Sequence, residues 1–67
     1  MLKNKRKKLG ISQKKLAKKL NVDRSYLSKI ENCKFNNVSV TFIRKISREL
    51  KLDPVTVFLF FYDNSSL

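Results

Sequence analysis

The sequence contains no histidine and no tryptophan, and only one cysteine, one glycine and one proline. Without histidine, and with too few clustered acids to replace it, the usual metal ligands and general acid–base pairs are missing. No catalytic site, metal or other cofactor is therefore expected. The single glycine excludes Gly-rich phosphate-binding loops. Cys33 has no partner for an internal disulfide, which suits a reducing compartment, and a bystander thiol is the expected reading. No apolar run approaches the roughly 18 residues that a membrane span needs. The start, MLKNKRKKLG, lacks the apolar core of a signal peptide. A cytoplasmic protein is expected, with no membrane partner and no evident small-molecule ligand.

Acids are also scarce: five Asp and Glu stand against sixteen Lys and Arg, a formal net charge of +11. Such a balance implies a polyanionic partner, either nucleic acid or an anionic membrane surface. The charge is uneven, with twelve basic and two acidic residues in 1–34 but four and three in 35–67. One half of the chain is built to meet the polyanion and the other to do something else. At 67 residues the chain is one small domain, able to bury only about 60% of its unfolded surface. Pairing with a second copy would help it.

What is present reads as helices with clear punctuation. Leu2 and Leu9 lie seven apart on one face, and Gly10 suits the left-handed position after a helix end. Ser12 is an N-cap before QKKLAKKL, residues 13–20, where Leu16, Ala17 and Leu20 form an apolar stripe flanked by lysine pairs. Asn21 tolerates the left-handed turn geometry. Val22 buries the turn, and Asp23 caps a helix over about residues 24–32; removing that cap is expected to cost about 0.5–2 kcal/mol. CKFNNV (residues 33–38) has no period and reads as a loop. Ser39 then caps a helix of about 40–51, with Val40, Ile43, Ile46 and Leu50 at helical spacing. Asp53-Pro54 opens the last element. The β-branched and aromatic content of VTVFLFFY favours a strand there, and the Asp-Pro start a helix; helix is preferred. Its expected core face is Pro54, Val57, Phe58 and Phe61. The expected organisation is one all-α domain over residues 1–62, with an apolar dimerisation segment at about 54–62 and a frayed tail at 63–67.

Two short helices joined across Asn21 by a turn of about three residues form a helix-turn-helix arrangement, whose second helix enters the major groove of DNA. The ordered set Gln13-Lys14-Lys15-Leu16-Ala17, Val22, Ile30-Glu31-Asn32 and Lys34 resembles the lambda repressor/Cro-like (XRE-type) family, over roughly residues 2–58. The resemblance implies a compact five-helix DNA-binding domain. It also implies that Gln13 touches a phosphate and braces the recognition helix, and that Arg6 pairs with Glu31. Cys33 and Asn21 depart from the family pattern, each replacing a common glycine, so the helix end at Cys33 must use a strained or altered turn. The following loop is about one residue longer than usual, with Val38 where proline is frequent.

On a wheel of about 100° per residue, Leu27 and Ile30 point inward and Tyr26 lies at the border. Arg24, Ser25, Ser28 and Asn32 share one wedge, with Lys29 beside it. Arg24, Ser25, Ser28 and Lys29 are the expected base-reading set, Arg24 by a bidentate contact with guanine. Gln13, Lys14, Lys18, Tyr26, Asn32, Lys34, Asn36 and Asn37 are expected at the DNA backbone. For Tyr26, packing against the preceding helix remains an equal alternative. The lysines at 3, 5, 7, 8, 14, 15, 18, 19 and 34 supply charge without sequence information, and Lys5 is the one expected to lay its stem inward.

Val55, Leu59, Phe60 and Tyr62 are left over by the expected core and form the candidate interface of a homodimer, by helix packing or by intermolecular β-pairing. The expected function is a sequence-specific regulator of transcription that binds double-stranded DNA at a near-palindromic operator. With no effector or cleavage domain in the 67 residues, repression by promoter occlusion is the simplest mechanism. The competing readings are an antitoxin or accessory DNA-binding subunit that grips another protein through its apolar C-terminus, and a cationic membrane-surface peptide using KKLAKKL as an amphipathic helix.

Overall fold

The computed structural model describes residues 1–35 and 37–64. Among them are five α-helices and no strand: α1 Leu2–Lys8, α2 Gln13–Leu20, α3 Arg24–Glu31, α4 Val40–Glu49 and α5 Pro54–Asp63. The last segment is thus helical, and it runs on through Asp63, with Asn64 as its C-cap. Asp63, expected in a frayed tail, is instead the last residue of α5, and residues 65–67 of that tail lie outside the described residues.

Helix starts follow local chemistry at three of four capping sites. The Ser12 and Ser39 hydroxyls accept from the Lys15 and Phe42 amides at 3.0 Å each, and Asp53 Oδ2 accepts from the Thr56 amide at 3.1 Å. Asp23 differs. It occupies the N-cap position of α3 in extended geometry, but its side chain accepts no capping hydrogen bond. What remains is the attraction of its carboxylate for the helix N-terminus, about 0.3–1 kcal/mol at an exposed site, below the cost expected from a lost cap.

Four helix ends share one device. Gly10 (φ +70°), Asn21 (+57°), Cys33 (+58°) and Lys51 (+55°) are all left-handed. In each case the next residue's amide reaches back five residues, as Ile11 does to the Arg6 carbonyl and Lys34 to the Lys29 carbonyl. This is the Schellman closure, which satisfies carbonyls that a helix end would otherwise leave open. Only one of the four positions has glycine, so the other three hold a Cβ in a conformation that costs an L-residue roughly 1–2 kcal/mol.

The core is assembled from Leu2, Leu16, Ala17, Leu20, Leu27, Ile30, Phe42, Ile43, Ile46, Leu50, Val57 and Phe61, together with Phe35 from the loop. Two expectations about facing are corrected. Val40 is 73% exposed while Phe42 is buried: α4 turns the stripe Phe42, Ile43, Ile46 and Leu50 inward, and Val40 sits at the first helical position, off that stripe. In α5, Phe58 is exposed and Phe60 is partly buried against the core. The inward face is Val57, Phe60 and Phe61, rotated by about half a residue step, roughly 50°, from the one anticipated. Aromatic contacts explain the rotation. Phe61 meets Phe35, Phe60 and Phe42 edge-on at centroid distances of 5.1, 5.4 and 6.4 Å. Phe35, in the aperiodic loop of residues 33–38, is the plug that seats that loop on α5.

Candidate nucleic-acid interface

The Schellman turn at Asn21 sets α3 against α2. Leu27 and Ile30 are fully buried, which fixes the rotation of α3. Arg24, Ser25 and Lys29 are exposed and Ser28 is half-buried, all on the side away from those two anchors. Asn32, at the end of the same wedge, turns its Nδ2 back to the Ser28 carbonyl at 2.9 Å and lies 3.4 Å from Ser28 Oγ. Its amide is thus partly used within its own helix.

A chain of polar contacts leads from a part-buried ion pair to the exposed start of this helix. Arg6, from α1, donates through Nε to Glu31 Oε2 at 2.6 Å and through Nη2 to Glu31 Oε1 at 3.2 Å. Its Nη1 donates to the Ile11 carbonyl at 2.9 Å. The two side chains are 8% and 1% exposed, so this is a desolvated, bidentate pair rather than a surface bridge. Glu31 Oε1 also accepts from Gln13 Nε2 at 3.1 Å, and Gln13 Oε1 accepts from Arg24 Nε at 3.1 Å. Gln13 therefore joins the buried pair to the first residue of α3. The family resemblance implies that Gln13 braces α3, and the group it holds is Arg24.

Tyr26 stacks edge-on against Phe42 of α4, with centroids 5.6 Å apart, and is 37% exposed. Its main ring partner is thus on α4 rather than α2. It lines an open recess together with Lys18, Asn21 and Ser39. Lys14, Lys18, Lys34 and Asn37 are exposed, and Asn36 lies outside the described residues. Of the nine lysines named above, Lys5 alone is half-buried and the others are exposed.

Separately, α5 presents Val55, Phe58, Leu59 and Tyr62 to solvent, 64, 48, 51 and 71% exposed. At 100° per residue these four fall within a wedge of about 100°. Phe58 and Tyr62 stack at 6.3 Å, and an apolar groove beside them is lined by Val40, Ile43, Pro54 and Val55. Phe58 belongs to this face and Phe60 does not.

No helix among the described residues is long and apolar enough to cross a membrane. They also hold no group of three or more His, Cys, Asp or Glu side chains that could bind a metal.

Two eight-residue helices joined through residues 21–23, the second with buried anchors on one side and a polar, cationic face on the other, define a helix-turn-helix DNA-binding domain. The helix-turn-helix family model matches residues 2–57, and the chain belongs to that family, the XRE-type, lambda repressor/Cro-like DNA-binding regulators. Neither the curated proteins nor the solved structures give a significant match.

Proposed function

We propose that this DNA-binding regulator is a repressor that occupies a near-palindromic operator as a homodimer. The observation that carries the reading is the division of one small domain into a cationic face around α3 and an apolar, solvent-exposed face on α5. Arg24, Ser25, Ser28 and Lys29 read base edges in the major groove, Arg24 at a guanine. Lys14, Lys18, Lys34, Asn32, Tyr26, Asn36 and Asn37 serve the backbone, and so does the second amide N–H of Gln13. Each neutralised phosphate contributes about −0.9 to the slope of log K against log salt.

The α5 face, Val55, Phe58, Leu59 and Tyr62, pairs two copies by helix packing, since this segment is helical. A two-fold axis through it sets recognition helices about 34 Å apart, in successive major grooves. Occlusion of a promoter needs nothing beyond such binding. Selection of bound sequences from random DNA tests the reading: a two-fold symmetric consensus is expected, and no enrichment above background would end it. A monomer that co-purifies in fixed stoichiometry with a different protein would transfer the α5 face to that protein and replace the homodimer.

A further inference from the structure

We propose that the groove between α4 and α5 docks an acidic amphipathic helix of another protein. Its apolar stripe covers Val40, Val55 and Phe58, its carboxylates meet Arg44 and Arg48, and its arrival displaces the second copy of this chain. The displacement rests on α5 pairing two copies; the docking does not. The groove holds about 370 Å³, with buried Ile43 as its floor and exposed Val40, Val55 and Phe58 around it. Such a hollow takes side chains from one face of a helix, at i, i+3, i+4 and i+7. Arg44 lines the groove too, and it also lines a smaller recess on α4 with Thr41, Lys45 and Arg48. The apolar groove and the cationic recess therefore adjoin at Arg44.

Charge selects the occupant. Residues 35–67 hold only four cations, and three of them, Arg44, Lys45 and Arg48, share a wedge of about 100° on α4. That wedge points away from Phe42, Ile43, Ile46 and Leu50, which are buried. All three cations are exposed, and none makes a hydrogen bond or ion pair through its side chain among the described residues. Even Glu49, one turn beyond Lys45, forms no ion pair with it. A second copy of the chain, with net charge +11, brings an α5 face of Val55, Phe58, Leu59 and Tyr62 that has no carboxylate. It covers apolar surface and leaves the cations unanswered. Nucleic acid answers the cations and leaves the groove empty. A helix whose apolar stripe is edged with Glu or Asp satisfies both. Arg44 and Arg48 stand about 6 Å apart along the axis, the spacing at which carboxylates at i and i+4 recur on a partner helix. Each guanidinium can hold a carboxylate through two parallel bonds. Val55 and Phe58 belong both to the groove and to the dimer face, so the helix and the second copy exclude one another. An acidic partner thereby takes the dimer off its operator.

The probe is a synthetic peptide of about 18 residues, long enough to form an isolated helix, with leucines on one face and glutamates beside them. Fluorescence anisotropy of the labelled peptide measures its binding to the full chain at near-physiological salt. Wild type is compared with Arg44→Glu plus Arg48→Glu, and with Lys3→Glu plus Lys7→Glu. The second pair makes the same change of net charge, at exposed positions of the same spacing on α1. Wild type should bind with a dissociation constant tighter than about 100 μM. The α4 reversal should weaken binding at least about tenfold, and the α1 reversal less than about threefold. Weaker binding by wild type shows that there is no site, and equal losses in the two variants show only attraction between net charges; either result overturns the proposal. If the α4 reversal spares the peptide but lowers the salt slope of DNA binding by about 1.8, the cations serve nucleic acid and the proposal also fails. A further comparison needs no protein variant: a peptide with glutamine in place of glutamate should bind wild type at least about tenfold more weakly, and equal binding refutes the role of charge. Sedimentation equilibrium separates docking from displacement. Saturating peptide should convert the dimer into a one-to-one complex, and a dimer that keeps its peptide and its partner overturns the displacement. A chain that is monomeric without peptide removes the homodimer and the displacement with it, while the docking site stands or falls on the peptide affinities.

Discussion

Removing Arg6 should come close to unfolding this protein, and removing Glu31 with it should not. Arg6→Met deletes three hydrogen bonds at once, two to Glu31 and one to the Ile11 carbonyl. It leaves a carboxylate with 1% of its side chain exposed and, among the described residues, only the Gln13 amide hydrogen-bonded to it. Breaking a buried pair from one side costs about 3–5 kcal/mol, because the stranded charge keeps its desolvation penalty. A domain of 67 residues has about 3–10 kcal/mol in all, so the loss consumes much or all of it. Where the variant still folds, its melting temperature should drop by about 12 °C or more. Arg6→Met with Glu31→Met removes both charges and fills the space with apolar bulk, a replacement that is often neutral or stabilising. Thermal melts followed by far-ultraviolet circular dichroism, in low and high salt, make the comparison. The expected order is wild type and double variant close together, the single variant far below, with little salt dependence because the pair is out of solvent. A single variant that loses less than about 1 kcal/mol would show the pair behaving as an exposed bridge. A double variant as unstable as the single one would show that shape, not charge, makes the site.

Other outcomes follow from the same geometry. Cys33→Gly relieves a left-handed Cβ at φ +58° and should raise stability by about 0.5–1 kcal/mol after the flexibility of glycine is offset. Cys33→Ala keeps the Cβ and should be neutral by the same melts, so an equal gain in both would assign the effect to the thiol. Lys18→Ala should reduce the salt slope of DNA binding by about 0.9 without altering the consensus, as read by titrations at several salt concentrations. Leu59→Glu alters a half-exposed side chain on α5. It should leave the helical content intact and weaken self-association by at least about tenfold in sedimentation equilibrium, and unchanged association would move the dimer contact elsewhere.

How far the sequence could be read depended on how local the deciding physics was. Ser12, Ser39 and Asp53 cap helices because a side-chain oxygen meets an amide within the same turn, so three residues of sequence decide the matter. Gly10 and Asn21 likewise mark helix ends from their own backbone preferences. The facing of α5 was not decided locally. With eight of the ten residues Pro54–Asp63 apolar or aromatic, periodicity cannot choose a face, and the choice fell to Phe35, some twenty-six positions away in sequence, which packs on Phe61. Asp23 shows the opposite error: a residue of the right type at the right position, with no capping bond made.

The site divides along the same line. The polar, outward wedge of α3 follows from two buried anchors, Leu27 and Ile30, and needs only the helical repeat. The contact between Gln13 and Arg24 joins residues eleven apart across a turn, and its polarity comes from a third residue, Glu31, whose partner lies on α1. No pattern of hydrophobicity or charge encodes such a contact, because its orientation depends on which group is barred from donating. That is also why the few acids matter more than their number suggests. In a chain of sixteen cations, one carboxylate shielded from solvent orders two arginines at once. The lysines carry their charge wherever they stand; the glutamate holds Arg6 directly and Arg24 through the Gln13 amide.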